Sequence, residues 1–397
     1  MAPIASRKLL VLCDVVGQEG GTESLLSRVL PVLQGSGVSV TVRGRQVREA
    51  NAFGVPAQQI SWGADDGTSS AAAAVAVEAT IAELQPDAVF MSSVFDPAVI
   101  RAARTAKRAI AHLHDHRAFC PQGDRVYPQF RALCERPMGV ACIVNSVLHG
   151  CAEGPRPGTL RRLREREVLR EALRALDAIN VGSRFMARLC AKNGIERGRI
   201  NAIAPAVDPA ALESPPAPMP RERRVLFAAR LVRDKGFDSL VRAVARIAVF
   251  QRPALDVCGA PTPESEATLA LARRLGVIVN LHGRQSRAAL MQLMDDAAVV
   301  AVPSLWPEPF GMMGIEAYAR GRPVVAYAVG GIPEWVESGG VAVPPGDEAE
   351  FARALVRVLD PGRWEQFATE ARRLAQRYTP EVYVGRLLPV LFPSTSS

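Results

Sequence analysis

At 397 residues the chain is too long for one ordinary core, so two domains are the expectation. Hydrophobic residues make up 48%, which excludes a disordered chain, and no stretch reaches eighteen uninterrupted apolar residues, which argues against a transmembrane helix. The net charge of +8 invites nucleic acid or an acidic membrane as partner, but the arginines behind it are scattered through both halves and mixed with glutamate.

The stretch Arg7-Lys-Leu-Leu-Val-Leu-Cys-Asp14 has the basic-then-apolar look of a signal peptide. Its apolar part is short, ends at Asp14 and lacks a convincing cleavage site, so it reads as a first β-strand and the protein is expected to be cytoplasmic. Strand-like segments at 8–13, 38–42, 88–92 and 109–113 then alternate with helix-like ones at 23–33, 71–84 and 97–106, the signature of a doubly wound α/β sheet. The first loop, Asp14-Val-Val-Gly17-Gln-Glu-Gly20-Gly21-Thr22-Glu23, has glycines that allow a tight turn and a close approach to a ligand. It is neither a dinucleotide fingerprint nor a Walker sequence, and alone it is equally an ordinary strand-to-helix turn.

Three histidines alternate in Ala111-His112-Leu-His114-Asp115-His116, which on a strand places all three on one face. A metallo-hydrolase would need a residue between His114 and Asp115, and none is there. Cys120, Cys134, Cys142 and Cys151 fall in the loop-rich stretch that follows, with gaps too long for a zinc ribbon, and are expected to be buried free thiols, a structural metal site being the alternative. Next comes the densest basic cluster: Arg156, Arg161, Arg162, Arg164, Arg166, Arg170 and Arg174, with Glu165, Glu167 and Glu171 between them. Leu160, Leu163, Leu169, Leu173 and Leu176 recur at helical spacing, predicting an amphipathic surface helix whose charged face is solvated or meets anionic lipid.

Strands at 178–182 and 200–203 close the first half. Ser214-Pro-Pro-Ala-Pro-Met-Pro220, four prolines in seven residues, reads as a semi-rigid linker. The alternation restarts with strands at 224–229, 255–258, 277–281, 299–302, 323–326 and 340–343, and one last helix covers 380–393. After the strand at 224–229 comes Ala229-Arg230-Leu231-Val-Arg-Asp-Lys235-Gly236; cations at such a strand end can neutralise a leaving diphosphate as its charge grows.

Ser304-Leu-Trp-Pro-Glu308-Pro-Phe310-Gly311-Met312-Met-Gly-Ile-Glu316 follows the buried strand 297–303 and opens a helix over 312–319 that closes at Gly321. Glu308 therefore sits in a loop at a strand's carboxyl end, and Glu316 in the first turns of the helix. Two carboxylates there can accept bonds from neutral hydroxyls, while amides at the helix N-terminus hold phosphate. That combination suits a nucleotide sugar. No Asp-x-Asp pair is present to hold a metal on a diphosphate, so no metal cofactor is expected.

Two glutamates eight apart, with Pro-Phe-Gly after the first, resemble the family 4 retaining glycosyltransferases (glycosyl transferases group 1). The resemblance extends to Gly321-Arg-Pro-Val-Val-Ala326, Gly330-Gly-Ile-Pro-Glu334 and Val343-Pro-Pro-Gly-Asp347, and covers nearly the whole chain. It implies a GT-B fold: two Rossmann-like doubly wound domains facing a cleft, with the C-terminal helix crossing back to the first. The expected boundaries are 1–208 for an acceptor-binding domain, 209–223 for the linker, 224–379 for a donor-binding domain and 380–397 for the returning helix.

The resemblance also implies roles. Arg230 and Lys235 match the diphosphate-binding pair, although Ala229 replaces the family's usual glycine. His114-Asp115 and Cys120-Pro121 match a family His-Asp and Cys-Pro, placing His114 beside the donor sugar and acceptor, with His112 and His116 structural or peripheral. Glu308 holds sugar hydroxyls and Glu316 the ribose; Gly20 and Gly21 lie near the diphosphate; Phe310, Gly311 and Met312 lend amides, and Arg284 joins the donor-binding set. The expected partners are a nucleotide-sugar donor, a glycan, lipid-linked or small-molecule acceptor, and peripheral contact with an anionic membrane, without nucleic acid. A sugar-nucleotide epimerase of similar fold and a non-catalytic membrane-surface scaffold are the competing readings.

Overall fold

The computed structural model describes residues 7–17, 20–60, 70–127, 132–151, 156–213 and 215–393. Gln18 and Glu19 of the first glycine loop, Ser214 of the linker and residues 1–6 and 394–397 of the expected end domains lie outside the described residues. The chain divides into two units, the first formed by 1–206 with 380–397 and the second by 207–379.

In the first unit the strands are β1 (Arg7–Val16), β2 (Val38–Val47), β3 (Ala57–Gln59), β4 (Ala88–Ser92), β5 (Ala109–Leu113), a short hairpin β6 (Val126–Tyr127) with β7 (Ala132–Leu133), then β8 (Ala178–Val181) and β9 (Ile200–Ala202). Apart from the hairpin they form one seven-stranded parallel sheet in the order β3-β2-β1-β4-β5-β8-β9. Strand β1 shows why the sequence gives a sheet covered on both sides. Leu10 and Leu12 enter one core with Val77, Ile81 and Leu173, while Leu9, Val11 and Cys13 enter another with Leu26, Val29 and Leu33. Side chains alternate across the sheet, so a strand with an unbroken apolar run, here Leu9–Cys13, must have helices on both faces.

The last helix, Pro380–Leu391, is built into this first unit: Tyr383, Val384, Leu387 and Leu391 join the core of Leu9 and Leu26. The Arg-rich helix Arg156–Arg174 buries Leu163, Leu169 and Leu173, as its spacing predicts, and leaves Leu160 exposed. Helix Gly21–Gly35 runs past the expected end and accommodates Pro31 inside it.

The second unit holds β10 (Arg224–Ala228), β11 (Ala254–Cys258), β12 (Val279–Gly283), β13 (Val299–Val302), β14 (Val324–Tyr327) and β15 (Gly340–Val343), all parallel, in the order β12-β11-β10-β13-β14-β15. Two Rossmann-like sheets and a C-terminal helix make the GT-B architecture. In each sheet the order reverses once, between β1 and β4 and between β10 and β13, and such a switch point opens a crevice at the strands' carboxyl ends.

The proline-rich segment lies along the second unit rather than standing clear as a spacer. Buried Arg322 donates to the carbonyls of Pro218 (3.2 Å) and Ala217 (3.0 Å), and Arg372 bonds the carbonyls of Ala211 and Leu212. Composition showed only that the segment could not be helix or strand; the arginines that hold it come from 100 and more residues away.

Candidate functional site

The loops after β10 and β13 meet at the switch point of the second unit. After β10, residues Arg233–Lys235 make a single 3-10 turn that ends at Gly236, whose φ of +77° is left-handed. A Cβ there would run into the Pro303 carbonyl oxygen, so glycine is what lets the two loops touch. The Asp234 carbonyl then accepts from the amides of Leu305 (2.8 Å) and Trp306 (3.0 Å), fixing one loop on the other.

That docking brings the Lys235 Nζ to 2.7 Å from Glu308 Oε1, with the lysine 4.2 Å from the Trp306 ring centroid. Lys235 and Glu308 are mostly shielded from water, at 13% and 17% side-chain exposure, so the pair is firmer than a surface ion pair. Glu308 is held from behind by the Gly-Gly-Ile-Pro-Glu loop: its carbonyl accepts from Gly331 N at 2.8 Å, and Gly330, at φ +59°, lies where any Cβ would strike the Glu308 backbone. Arg230, Lys235, Ser304, Glu308, Gly311, Met312 and Met313 line a cavity of about 200 Å³. Gly311 caps helix Met312–Ala319 with no side chain bonded to its first amides. Two cations, a carboxylate and a helix N-terminus converge in one concavity, able to hold an anion next to hydroxyl groups.

Other expected residues are placed differently. Glu316 is not among the cavity residues; it is 11% exposed and ion-paired at 3.3 Å to Arg287, which also reaches Asp208 at 3.7 Å. Phe310 turns its ring to Tyr378 and gives its carbonyl to the Trp335 indole at 2.7 Å. Arg284 follows β12 and is exposed. Sequence reasoning passed over Trp306, although it stands inside the motif, and had no signal for Arg287, whose partner lies 29 residues on.

Gly20, Gly21 and His114 belong to the first unit. Gly20 stands at the N-cap of helix Gly21–Gly35, and His114 directly follows β5, its Nε2 2.9 Å from Ser92 Oγ at the end of β4. Because β5 ends at Leu113, the three histidines do not share a strand face. His112 lies against His114 at 3.8 Å between centroids, the rings tilted by 37°, and faces Tyr383 OH at 3.3 Å, while His116 packs edge-on against Phe185. Burial is the first cause that pulls the His114 pKa down to about 4, with Asp115 opposing and Arg117 assisting. His112 is held well below the ordinary imidazole range by burial and then by His114. Both imidazoles are therefore neutral near pH 7.

The four clustered cysteines are free thiols, half-buried rather than buried. Among the described residues no three His, Cys, Asp or Glu side chains are placed to hold a metal ion, and no described helix is long and apolar enough to cross a membrane.

The family model for glycosyl transferases group 1 matches residues 214–375, the span that contains the cavity. That match falls within the second unit. This chain is 33% identical over 241 residues to a D-inositol 3-phosphate glycosyltransferase of a Mycobacterium species (strain JLS), covering 56% of this chain and 52% of the relative. It is 37% identical over 166 residues to the enzyme of that name from Kribbella flavida, with 38% and 39% covered. The chain thus spans about half the length, or less, of these curated relatives. Among solved structures, a glycosyltransferase from Rickettsia africae aligns over 98% of this chain and all of its own, with a TM-score of 0.72 at 14% identity. Anabaena HepE, solved with UDP and glucose, gives 0.70 at 19% identity, with 96% and 98% covered. At such identities what the chain shares with them is the fold.

Proposed function

We propose that the chain is a retaining family 4 glycosyltransferase, moving a sugar from a nucleotide-diphosphate sugar to an acceptor hydroxyl in glycan, cell-envelope polysaccharide or glycolipid synthesis. The observation that carries this reading is the Lys235–Glu308 pair at 2.7 Å, sharing one cavity with Arg230 at the β10/β13 switch point. Arg230 and Lys235 stabilise the diphosphate as it departs with the bonding electron pair; Glu308 accepts bonds from sugar hydroxyls, with the amides of Gly311 and Met312 beside it. The acceptor oxygen attacks from the face the diphosphate leaves, and its proton passes to the departing phosphate. Glu316 takes the ribose hydroxyls. The second unit is the donor domain, and the first, with Gly20, Gly21 and His114, the acceptor domain. Because side-chain cations serve the leaving group, the step is assigned without a metal.

Nucleoside diphosphate release from uridine, guanosine and adenosine diphosphate sugars, followed with a chelator present, tests this. One donor should turn over and give a product of unchanged anomeric configuration. Isomerised donor without release would mean an epimerase; neither turnover nor a thermal shift with any nucleotide would mean a scaffold. Loss of activity to the chelator would sink the metal-free step.

We also propose that the chain works in the cytoplasm against an anionic membrane. What supports it is the helix Ala141–Leu148, which leaves Val144, Val147 and Leu148 exposed, with Val140 just before it, and packs beside the Arg-rich helix. Co-sedimentation with phosphatidylglycerol vesicles should fall sharply in a Val144→Asp, Leu148→Asp double variant; equal sedimentation would remove this face.

A further inference from the structure

Strand β4 ends on a buried hydroxyl with a single commitment. Ser92 is fully buried, and its Oγ has one hydrogen-bond partner among the described residues, His114 Nε2 at 2.9 Å. The strand register sets this up, since Ser92 pairs with His112 on β5 and His114 stands two residues further on. Ser93 then turns the chain away with a left-handed φ of +59°, uncommon in a residue other than glycine, and its amide bonds the His112 carbonyl at 3.3 Å. The end of β4 is thus fixed against β5 on both sides of the Ser92–His114 bond.

A bond between a hydroxyl and an imidazole nitrogen can run either way, and the tautomer decides which. If Nε2 carried the proton, it would donate to Ser92 Oγ and leave the serine proton buried with no acceptor. If Nε2 is bare, the serine donates to it and both groups are satisfied. The cost of a buried donor without an acceptor favours the second arrangement by about tenfold or more. The proton of the neutral ring then sits on Nδ1. That nitrogen bonds nothing among the described residues, and it is not closed off from solvent, since His114 is only partly buried. A half turn of the ring would bring carbon rather than nitrogen to Ser92 Oγ and lose the bond. His112, at 3.8 Å between centroids, backs the ring.

We propose that Ser92 is a positioning residue: it donates to His114 Nε2 and so holds the imidazole as a fixed N–H donor, with Nδ1–H offered to an oxygen of the sugar or the acceptor. The lone pair of Nε2 is then spent on Ser92, and none is left to take a proton from a substrate. His114 serves as a hydrogen-bond donor and not as a general base, which leaves the acceptor's proton to the departing phosphate. That role of His114 rests on the transferase reading; the tautomer does not.

NMR of the full chain with isotopically labelled imidazole nitrogens reads the tautomer directly, without ligand. The sequence has five histidines, and the signals of His114 are those missing from His114→Asn. Nδ1 should carry the proton and Nε2 should not; a protonated Nε2, or an even mixture, would overturn the proposal with no variant of Ser92 needed. Ser92→Ala should shift the Nε2 resonance and lower kcat/KM for the nucleotide sugar at least tenfold, and Ser92→Thr, which keeps the hydroxyl, should restore both. An unmoved resonance or an unchanged kcat/KM in Ser92→Ala would remove serine from the role. His114→Asn, whose amide nitrogen stands close to the place of Nδ1 and still donates, should lose at least tenfold less activity than His114→Ala. Equal losses would mean that the ring acts as a base after all. A chain with the proton on Nδ1 that releases no nucleoside diphosphate from any sugar nucleotide would sink the transferase reading and leave the Ser92 bond standing.

Discussion

Lys235 has two neighbours that make it a fixed charge rather than a mobile one: the Glu308 carboxylate and the Trp306 ring. Removing it leaves Glu308 without its partner and, in the proposed reaction, takes a cation from the leaving group. Lys235→Ala, and separately Arg230→Ala, should lower turnover by at least about a hundredfold, the scale seen when a transition-state donor is lost. Initial rates at saturating donor check this, and a change below tenfold would move the leaving group elsewhere. His114 makes a prediction in pH. Its folded pKa of about 4 lies below the ordinary imidazole value, so between the two the unfolded chain binds the proton and the folded chain does not. Stability should be intact above about pH 6.5 and fall as pH drops toward 4, more steeply in the wild type than in His114→Gln. The rate profile should show no break from His114 near pH 6.5; an imidazole titrating there by NMR would contradict its burial.

Among elements, the loops behind Glu308 were only half legible. The order of glycine motifs along the chain announced which segments mattered, because a Gly-Gly-Ile-Pro-Glu loop after a buried strand has few uses. What the sequence did not disclose is that Gly330 backs directly onto Glu308 and that Asp234 ties the two site loops together, since both contacts pair loops from different strands. Gly330→Ala combines a left-handed φ with a backbone collision, and should destabilise the second unit by about 1–3 kcal/mol while moving Glu308. Differential scanning calorimetry together with the donor KM would show it; an unchanged midpoint and KM would mean that the loop shifts freely. Strands were readable because parallel strands buried on two faces are continuous apolar runs. The hairpin β6–β7 and the helix Ala141–Leu148 escaped notice because one is too short and the other too evenly apolar for a periodic signal. The alternating histidines misled for a related reason: a period of two implies one face only while the strand lasts, and β5 stops at Leu113.

At the scale of the molecule, the glutamate spacing and the cationic loop pointed to two loops that line one cavity at the second sheet, and nothing but folding could reveal which residues share it. Glu316 lies outside that cavity, held by Arg287, so a ribose site there must involve this arginine. Glu316→Gln should weaken nucleoside diphosphate binding by about 1.5–3 kcal/mol, the worth of a bond to a charged group. Arg287→Ala should change the same affinity; calorimetry showing neither effect would take both residues out of the site.

The helix Pro380–Leu391 sets an order of assembly. A ribosome delivers residues 7–206 first, but the core of that unit lacks Tyr383, Val384, Leu387 and Leu391 until residues 207–379 have also been made. Each of these side chains stabilises by about 1.5–3 kcal/mol when buried, so together they rival the whole stability of a typical domain, about 5–15 kcal/mol. The unit made second can therefore close first, while the unit made first waits, with an apolar groove open, for the helix Pro380–Leu391. A nascent chain halted before Pro380 should yield a protease-resistant 207–379 fragment and a degraded N-terminal part, and supplying 380–397 as a separate peptide should rescue the latter. Resistance of both parts without the peptide would show that the groove can close on its own.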